Sequence, residues 1–129
     1  MFDLNNWWLE FQQVMKTNTE NPLLRYKTAE MLNREFELTP YRFNPPDPVR
    51  TYNEVLRDGT AACAEAAAAI GAAMYQRGEP FGVCIKVDDL TKSAHVSIID
   101  KSNGRVFDPY GEFFAKGLNC AIRPEIFSL

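Results

Sequence analysis

The sequence predicts an α+β fold, on three observations. Apolar residues recur at helical spacing in the first third, an alanine-rich run follows near the middle, and from Pro80 onward the pattern changes to strict alternation.

Leu4, Trp7, Trp8, Phe11, Val14 and Met15 share one face at a period near 3.6, which predicts an amphipathic helix over about residues 5–16 with a heavy aromatic side. That face has two uses. It packs on the chain's own core, the commoner case, or it docks a protein partner through Trp7, Trp8 and Phe11, because exposed aromatic patches mark interfaces.

Asn21-Pro22 reads as an N-cap followed by the first helical position, and Leu24, Met31, Leu32 and Phe36 continue a second helix toward Leu38. Residues 39–48 hold four prolines. Each fixes its own φ and turns the preceding residue away from helix, so the segment is expected to be an extended connector over the surface.

The firmest helix follows Asp58-Gly59-Thr60: residues 61–75 are mostly alanine, and Gly78 is a natural stop. Small side chains on most faces suit a helix buried in the middle of a domain. Beyond it, Phe81, Val83, Ile85 and Val87 alternate with Gly82, Cys84 and Lys86, and Ala94, Val96 and Ile98 alternate with His95, Ser97 and Ile99. With the turn signal Ser102-Asn103-Gly104 ahead of Val106-Phe107-Asp108, this predicts an antiparallel meander. The tail, with Phe113, Phe114, Ile122, Ile126 and Phe127, is a weaker candidate for one more strand.

A length of 129 residues fits one domain, since halves of this chain would be too small to hold a core. Residues 1–50 supply helices and connector, and residues 51–129 the part that carries the candidate chemistry. Apolar residues make up 46% of the chain and charged residues 24%, a balance that suits a buried core and not a disordered segment. Fourteen basic against seventeen acidic residues give a net charge of −3 without any Lys/Arg cluster, which argues against nucleic acid. No apolar run approaches a membrane span, and the start of the chain lacks a signal-peptide pattern. Three cysteines, Cys63, Cys84 and Cys120, are neither a disulfide framework nor, with one histidine, a zinc motif. A reducing, cytoplasmic setting is expected, with no membrane association, metal or cofactor.

Chemistry concentrates at three positions. Cys63 opens the alanine-rich helix, where first-turn N–H groups and the positive end of the dipole favour a negatively charged sulfur. His95, the single histidine, lies on a strand, sharing a face with Ser97 and Ile99. If the helix packs on that face, the ring can meet Cys63. Asp108 ends the next strand. With Ser102-Asn103 as a two-residue tip it faces Ser97, and with a longer, bulged loop it lies directly across from His95. The three residue types supply nucleophile, base and orienter, with the Cys63 N–H as one oxyanion donor. Asn53 is the candidate for a second, with Tyr52 as the alternative. Glu65 and Arg57 flank the cysteine either as substrate contacts or, more commonly for such residues, as a solvated helix-end pair. Cys84 and Cys120 read as structural.

The stretch Leu56-Arg57-Asp58-Gly59-Thr60-Ala61-Ala62-Cys63-Ala64-Glu65, the strand His95-Val96-Ser97-Ile98-Ile99 and the strand Val106-Phe107-Asp108-Pro109 together resemble the transglutaminase-like branch of the papain-fold cysteine enzymes. The resemblance covers about residues 52–111. It implies a papain-like, transglutaminase-like architecture, a central alanine-rich helix on an antiparallel meander, with Cys63, His95 and Asp108 as the catalytic set. The sequence departs from the family at Ala62 and Ala64, where many bacterial members carry acidic residues, and at Val96, where an aromatic often stands.

Two functional expectations follow. The first is a cysteine hydrolase or acyltransferase, peptidase- or amidase-like, acting on amide or isopeptide bonds of a peptide or protein through a thioester. The second is a non-catalytic module of the same fold within a multi-subunit assembly, docked through the Trp7, Trp8 and Phe11 face.

Overall fold

The computed structural model describes residues 4–42, 48–88, 93–111 and 123–127. Its elements are α1 (Leu4–Thr19), a short 3₁₀ helix (Pro22–Tyr26), α2 (Ala29–Glu37), α3 (Tyr52–Asp58), α4 (Cys63–Gln76), β1 (Phe81–Asp88), β2 (Ser93–Asp100), β3 (Val106–Phe107) and β4 (Arg123–Phe127). The class is mixed α+β.

Helix α1 buries Phe11 and Met15 completely, and Trp7 and Trp8 stack on Phe11 with ring centroids 5.2 and 5.7 Å away. These are i,i+4 and i,i+3 neighbours, so helical geometry brings the three rings together. The aromatic face therefore lies against the chain's own core, with Trp7 and Trp8 partly buried at its margin.

In place of the single helix that the pattern predicts over residues 22–38, the chain makes two. Asn21 does cap, its side chain accepting from the Leu23 N–H, and Pro22 does open a turn. The turn ends at Lys27 in extended backbone, because Thr28 starts a new helix by accepting the Met31 N–H at 3.1 Å. Helix α3 adds to the elements that the periodicity predicts. Thr51 caps it, and Glu54 returns the bond to the Thr51 N–H at 3.0 Å, completing a capping box.

Helix α4 is buried from Cys63 to Met74. Helices α1, α2 and α3 and the strands β1 and β2 all pack on it, so the helix runs through the middle of the molecule as its small side chains allow.

The sheet has the order β3-β2-β1-β4 with every neighbour antiparallel. Strands β1 to β3 form the meander, with Val83 opposite Ile98 and Ile98 opposite Phe107. The tail contributes β4 beside β1, pairing Val83 with Phe127; the other tail candidates, Phe113, Phe114 and Ile122, lie outside the described residues. Val83, Ile85, Val96 and Ile98 belong to the same hydrophobic cluster as α1, α2 and α4. Among the described residues no helix is long and apolar enough to cross a membrane.

Candidate active site

Helix α4 begins at Cys63 because Ala62 holds extended backbone (φ −107°, ψ 170°) and cannot cap with a side chain of its own. Glu65 supplies half of the missing cap, its Oε1 accepting the Ala62 N–H at 2.9 Å. The approach to the cysteine is fixed from two sides. Gly59, left-handed at φ 73°, ends α3, and the Pro-rich connector then pairs with the approach. Tyr41 forms a parallel bridge with Ala61, the Ala61 N–H donates to the Pro40 carbonyl at 3.1 Å, and the Arg42 N–H donates to the Ala61 carbonyl at 2.9 Å. The start of the connector is thus strapped to the chain leading into Cys63 rather than laid over the surface; residues 43–47 lie outside the described residues.

Cys63 is 5% exposed and is the first helical residue. The sulfur therefore stands at the end of α4 where the helix dipole is positive.

His95, on β2, is 4% exposed, and its Nε2 lies 2.9 and 2.8 Å from the two carboxylate oxygens of Asp108. The register of β2 against β3 sets Asp108 across from Ser97, the arrangement expected for a two-residue tip, and its carboxylate reaches diagonally back to His95. The tip itself is wider. The Asp100 N–H donates to the Arg105 carbonyl at 2.8 Å and the Gly104 N–H to the Asp100 carbonyl at 2.7 Å, leaving residues 101–104 as the loop.

The ring also interacts with Cys63. Burial pulls the His95 pKa down, but hydrogen bonds with Asp108 and Cys63, and the charges of both, raise it to about 9. Asp108 takes Nε2, and Nδ1, the ring's other nitrogen, is buried. Cys63, His95 and Asp108 are therefore brought together.

The route by which they meet differs from the expected one. The middle of α4 packs on the Ile98 face of the sheet, opposite to His95: a Cβ on Gly71 would stand 3.3 Å from Ile98 Cδ1. Strand β3 pairs with Ile98 and Ile99, and among the described residues no strand lies beside the Ser93–Ser97 half of β2 on that side. Asp108 and Tyr110 follow directly after the end of β3. At such a strand end, side chains of either face can converge on the mouth of α4.

Two tyrosines stand beside the thiol. The Tyr41 and Tyr110 rings meet edge to face with centroids 5.2 Å apart, and the Tyr110 hydroxyl donates to the Thr39 carbonyl at 3.0 Å. The Tyr110 pKa is pushed up to about 12, first by burial and then by the Glu65 charge, with Arg50 opposing and Cys63 adding. Burial likewise raises the Tyr41 phenol, with Cys63 the largest charge acting on it.

Asn53 and Tyr52 are not brought to the site. Asn53 Oδ1 accepts from Asn21 Nδ2 at 3.1 Å, and the Asn21 carbonyl accepts from Gln76 at 3.1 Å. Gln76 is the last residue of α4, a helix length of about 20 Å from Cys63 at 1.5 Å per residue. The Tyr52 hydroxyl is engaged with Lys27 and Glu35, both at 2.5 Å.

Nor are Glu65 and Arg57 a pair. Arg57 is exposed and bonds its neighbour Asp58 at 2.9 Å, whereas Glu65 is 4% exposed and is clasped by Arg50. Arg50 gives no signal in the sequence, because a partner fifteen residues away leaves no local pattern. Cys84 is a buried free thiol on β1, and Cys120 lies outside the described residues. Among the described residues no group of three or more His, Cys, Asp and Glu side chains is arranged to hold a metal ion.

No family model matches the sequence, and no curated protein matches it. Among solved structures, Legionella pneumophila LapG in its calcium-bound form is similar over 99% of this chain and 81% of its own, with a TM-score of 0.44 and 12% identity.

Proposed function

We propose that the chain is a cysteine-nucleophile hydrolase or acyltransferase of transglutaminase-like type, acting on amide or isopeptide bonds of a peptide or protein. One observation carries the reading: a buried histidine held at Nε2 by both oxygens of Asp108 also interacts with a cysteine at a helix N-terminus.

That arrangement has a definite chemistry. A proton on each ring nitrogen gives an imidazolium that donates to Asp108 from Nε2 and to the Cys63 thiolate from Nδ1. The thiolate attacks the substrate carbonyl carbon, the developing oxyanion is stabilised by the Cys63 N–H, and the C–N bond breaks as Nδ1 delivers its proton to the leaving amine. A thioester remains. Water or a second amine then attacks it, giving its proton to Nδ1, and the carboxylic acid or new amide departs as the sulfur is released. Asp108 keeps the ring oriented throughout and carries no proton itself.

The test uses iodoacetamide at pH 6 with mass-spectrometric mapping, in the parent chain and in His95→Ala. Cys84, 8% exposed against 5% for Cys63, is an internal control of similar burial. Selective labelling of Cys63 at pH 6, lost in His95→Ala, supports the reading. Equal labelling of both cysteines, or labelling of Cys63 only on unfolding, removes it.

A further inference from the structure

A second charged group stands at the mouth of α4 with no part in the steps above. The Arg50 guanidinium clasps Glu65 bidentately, Nε to Oε2 at 2.8 Å and Nη2 to Oε1 at 2.7 Å, while the Arg50 backbone N–H adds a bond to Oε2 at 2.7 Å. The same fork reaches Asp58 Oδ2 at 2.9 Å, Thr60 Oγ1 at 3.3 Å and the Thr60 carbonyl at 3.1 Å. It therefore joins the end of α3, the approach to the cysteine and the first turn of α4. The side chains of Arg50 and Glu65 are 18% and 5% exposed, so the pair is largely removed from water.

Stability alone is a weak reason to bury such a pair, because the cost of desolvating both ions cancels most of their attraction. Position supplies a better one. Glu65 lies two residues beyond Cys63 in the same helical turn and orders that turn through the Ala62 N–H. Left unpaired, its carboxylate would oppose a negative sulfur close by. Among the described residues, the charged and titratable groups at this end of α4 are Glu65 on the helix itself, His95 on β2, Asp108 and Tyr110 after β3, Tyr41 on the connector, and, joined to Glu65, Arg50 with its second partner Asp58. With thiolate and imidazolium formed, Arg50 is the cation that answers Glu65 as His95 answers Asp108.

We infer that Arg50 is a positioning residue of the Cys63 site: it keeps Glu65 a paired carboxylate and ties Thr60 to the first turn, so that the charged cysteine is not opposed by its neighbour. The inference rests on Cys63 being the nucleophile. Its contribution reaches substrate only through Glu65 and the helix mouth.

The experiment measures the iodoacetamide rate of Cys63 against pH, with thermal melting alongside, in the full chain and in Arg50→Met, Arg50→Lys, Glu65→Gln and the Arg50→Met/Glu65→Gln double variant. Arg50→Met should slow labelling at pH 6 by about tenfold or more and move the profile to higher pH, since a nearby charge shifts such equilibria by one to three units. Glu65→Gln should label faster than the parent, because the cation remains without its carboxylate. The double variant should recover most of the parent rate. Arg50→Lys should fall between, keeping the charge without the fork. A lower melting temperature in Arg50→Met with an unchanged profile overturns the inference and leaves Arg50 a staple. Should Arg50→Met fail to fold, slower labelling in Glu65→Gln overturns it equally. A parent chain with no His95-dependent reactivity overturns the Cys63 reading and this inference with it, whereas a reactive parent matched by Arg50→Met overturns this inference alone.

Discussion

Gly111 and Asp108 are packed so closely that a Cβ on Gly111 would stand 2.7 Å from Asp108 Oδ2 and 2.9 Å from its Cγ. The turn Asp108-Pro109-Tyr110-Gly111 is closed by the Gly111 N–H donating to the Asp108 carbonyl at 3.2 Å. The carboxylate cannot yield freely, because both its oxygens are engaged by His95. Gly111→Ala should therefore displace the carboxylate from the ring. With a single histidine in the chain, its imidazole resonances can be followed by NMR without assignment. The expected result is a lower His95 titration midpoint and slower Cys63 labelling at pH 6, with the helices intact by circular dichroism. An unchanged titration would show that the turn opens instead.

The raised His95 pKa makes a prediction about stability. A group that binds its proton more tightly when folded stabilises the fold fully below its unfolded pKa, about 6.5, and loses that contribution as pH rises through its folded value of about 9. In Cys63→Ser, where no neighbouring thiol titrates in the same window to offset the histidine, melting temperature should thus decline as pH rises from 6.5. In Asp108→Asn the ring loses its anionic partner, so the decline over that window should flatten. A Cys63→Ser chain equally stable across it would contradict the pairing with Asp108.

How far the sequence foretells this arrangement depends on the range of the interaction. Helix α4 is legible because alanine content and a glycine stop are local, and the meander because alternation is local. The capping box at Thr51 and Glu54 is a local signal for α3 as well, although α3 is too short for apolar periodicity to announce it. Thr28 likewise signals that the run after Pro22 is two helices. By contrast, the clasp between Arg50 and Glu65 and the bridge between Tyr41 and Ala61 join segments fifteen and twenty residues apart through a fold that only coordinates reveal. The face argument for His95 fails for a physical reason too. Alternation tells which side of a sheet a residue takes, and at a strand end left open by a two-residue neighbour such as β3 the two sides are no longer separated.

Gly71 marks how tightly α4 is embedded. A Cβ there would lie 2.5 Å from Met15 Cε, 3.2 Å from Phe81 Cε2 and 3.3 Å from Ile98 Cδ1. Alanine gains up to about 1 kcal/mol of helix propensity over glycine, but overpacking a filled core costs about 1–3 kcal/mol. Gly71→Ala should be destabilising on balance, and a double-mutant cycle with Met15→Ala should show positive coupling because the removed side chain makes the space. Chemical denaturation measures both. A stabilised Gly71→Ala would mean that Met15 moves aside freely.

Tyr52 separates the scaffold from the site. Its ring is fully buried against Phe36, at 6.3 Å between centroids, and its hydroxyl stands between Lys27 Nζ and Glu35 Oε1 at 2.5 Å each. Lys27 also bonds Glu35 at 2.8 Å and lies 5.1 Å from the Tyr52 ring centroid, so the three side chains hold the 3₁₀ helix, α2 and α3 to one another. Removing the hydroxyl in Tyr52→Phe leaves two partly buried charges still paired with each other but short of one shared partner, a loss of about 1–3 kcal/mol. Had Tyr52 been the oxyanion donor its sequence position suggests, the same substitution would slow acyl transfer with little effect on folding. The structure reverses that expectation: the denaturation midpoint should fall, while the rate and pH profile of Cys63 labelling should match the parent under conditions where both are folded. A Tyr52→Phe variant of parent stability and altered Cys63 reactivity would return the phenol to the active site.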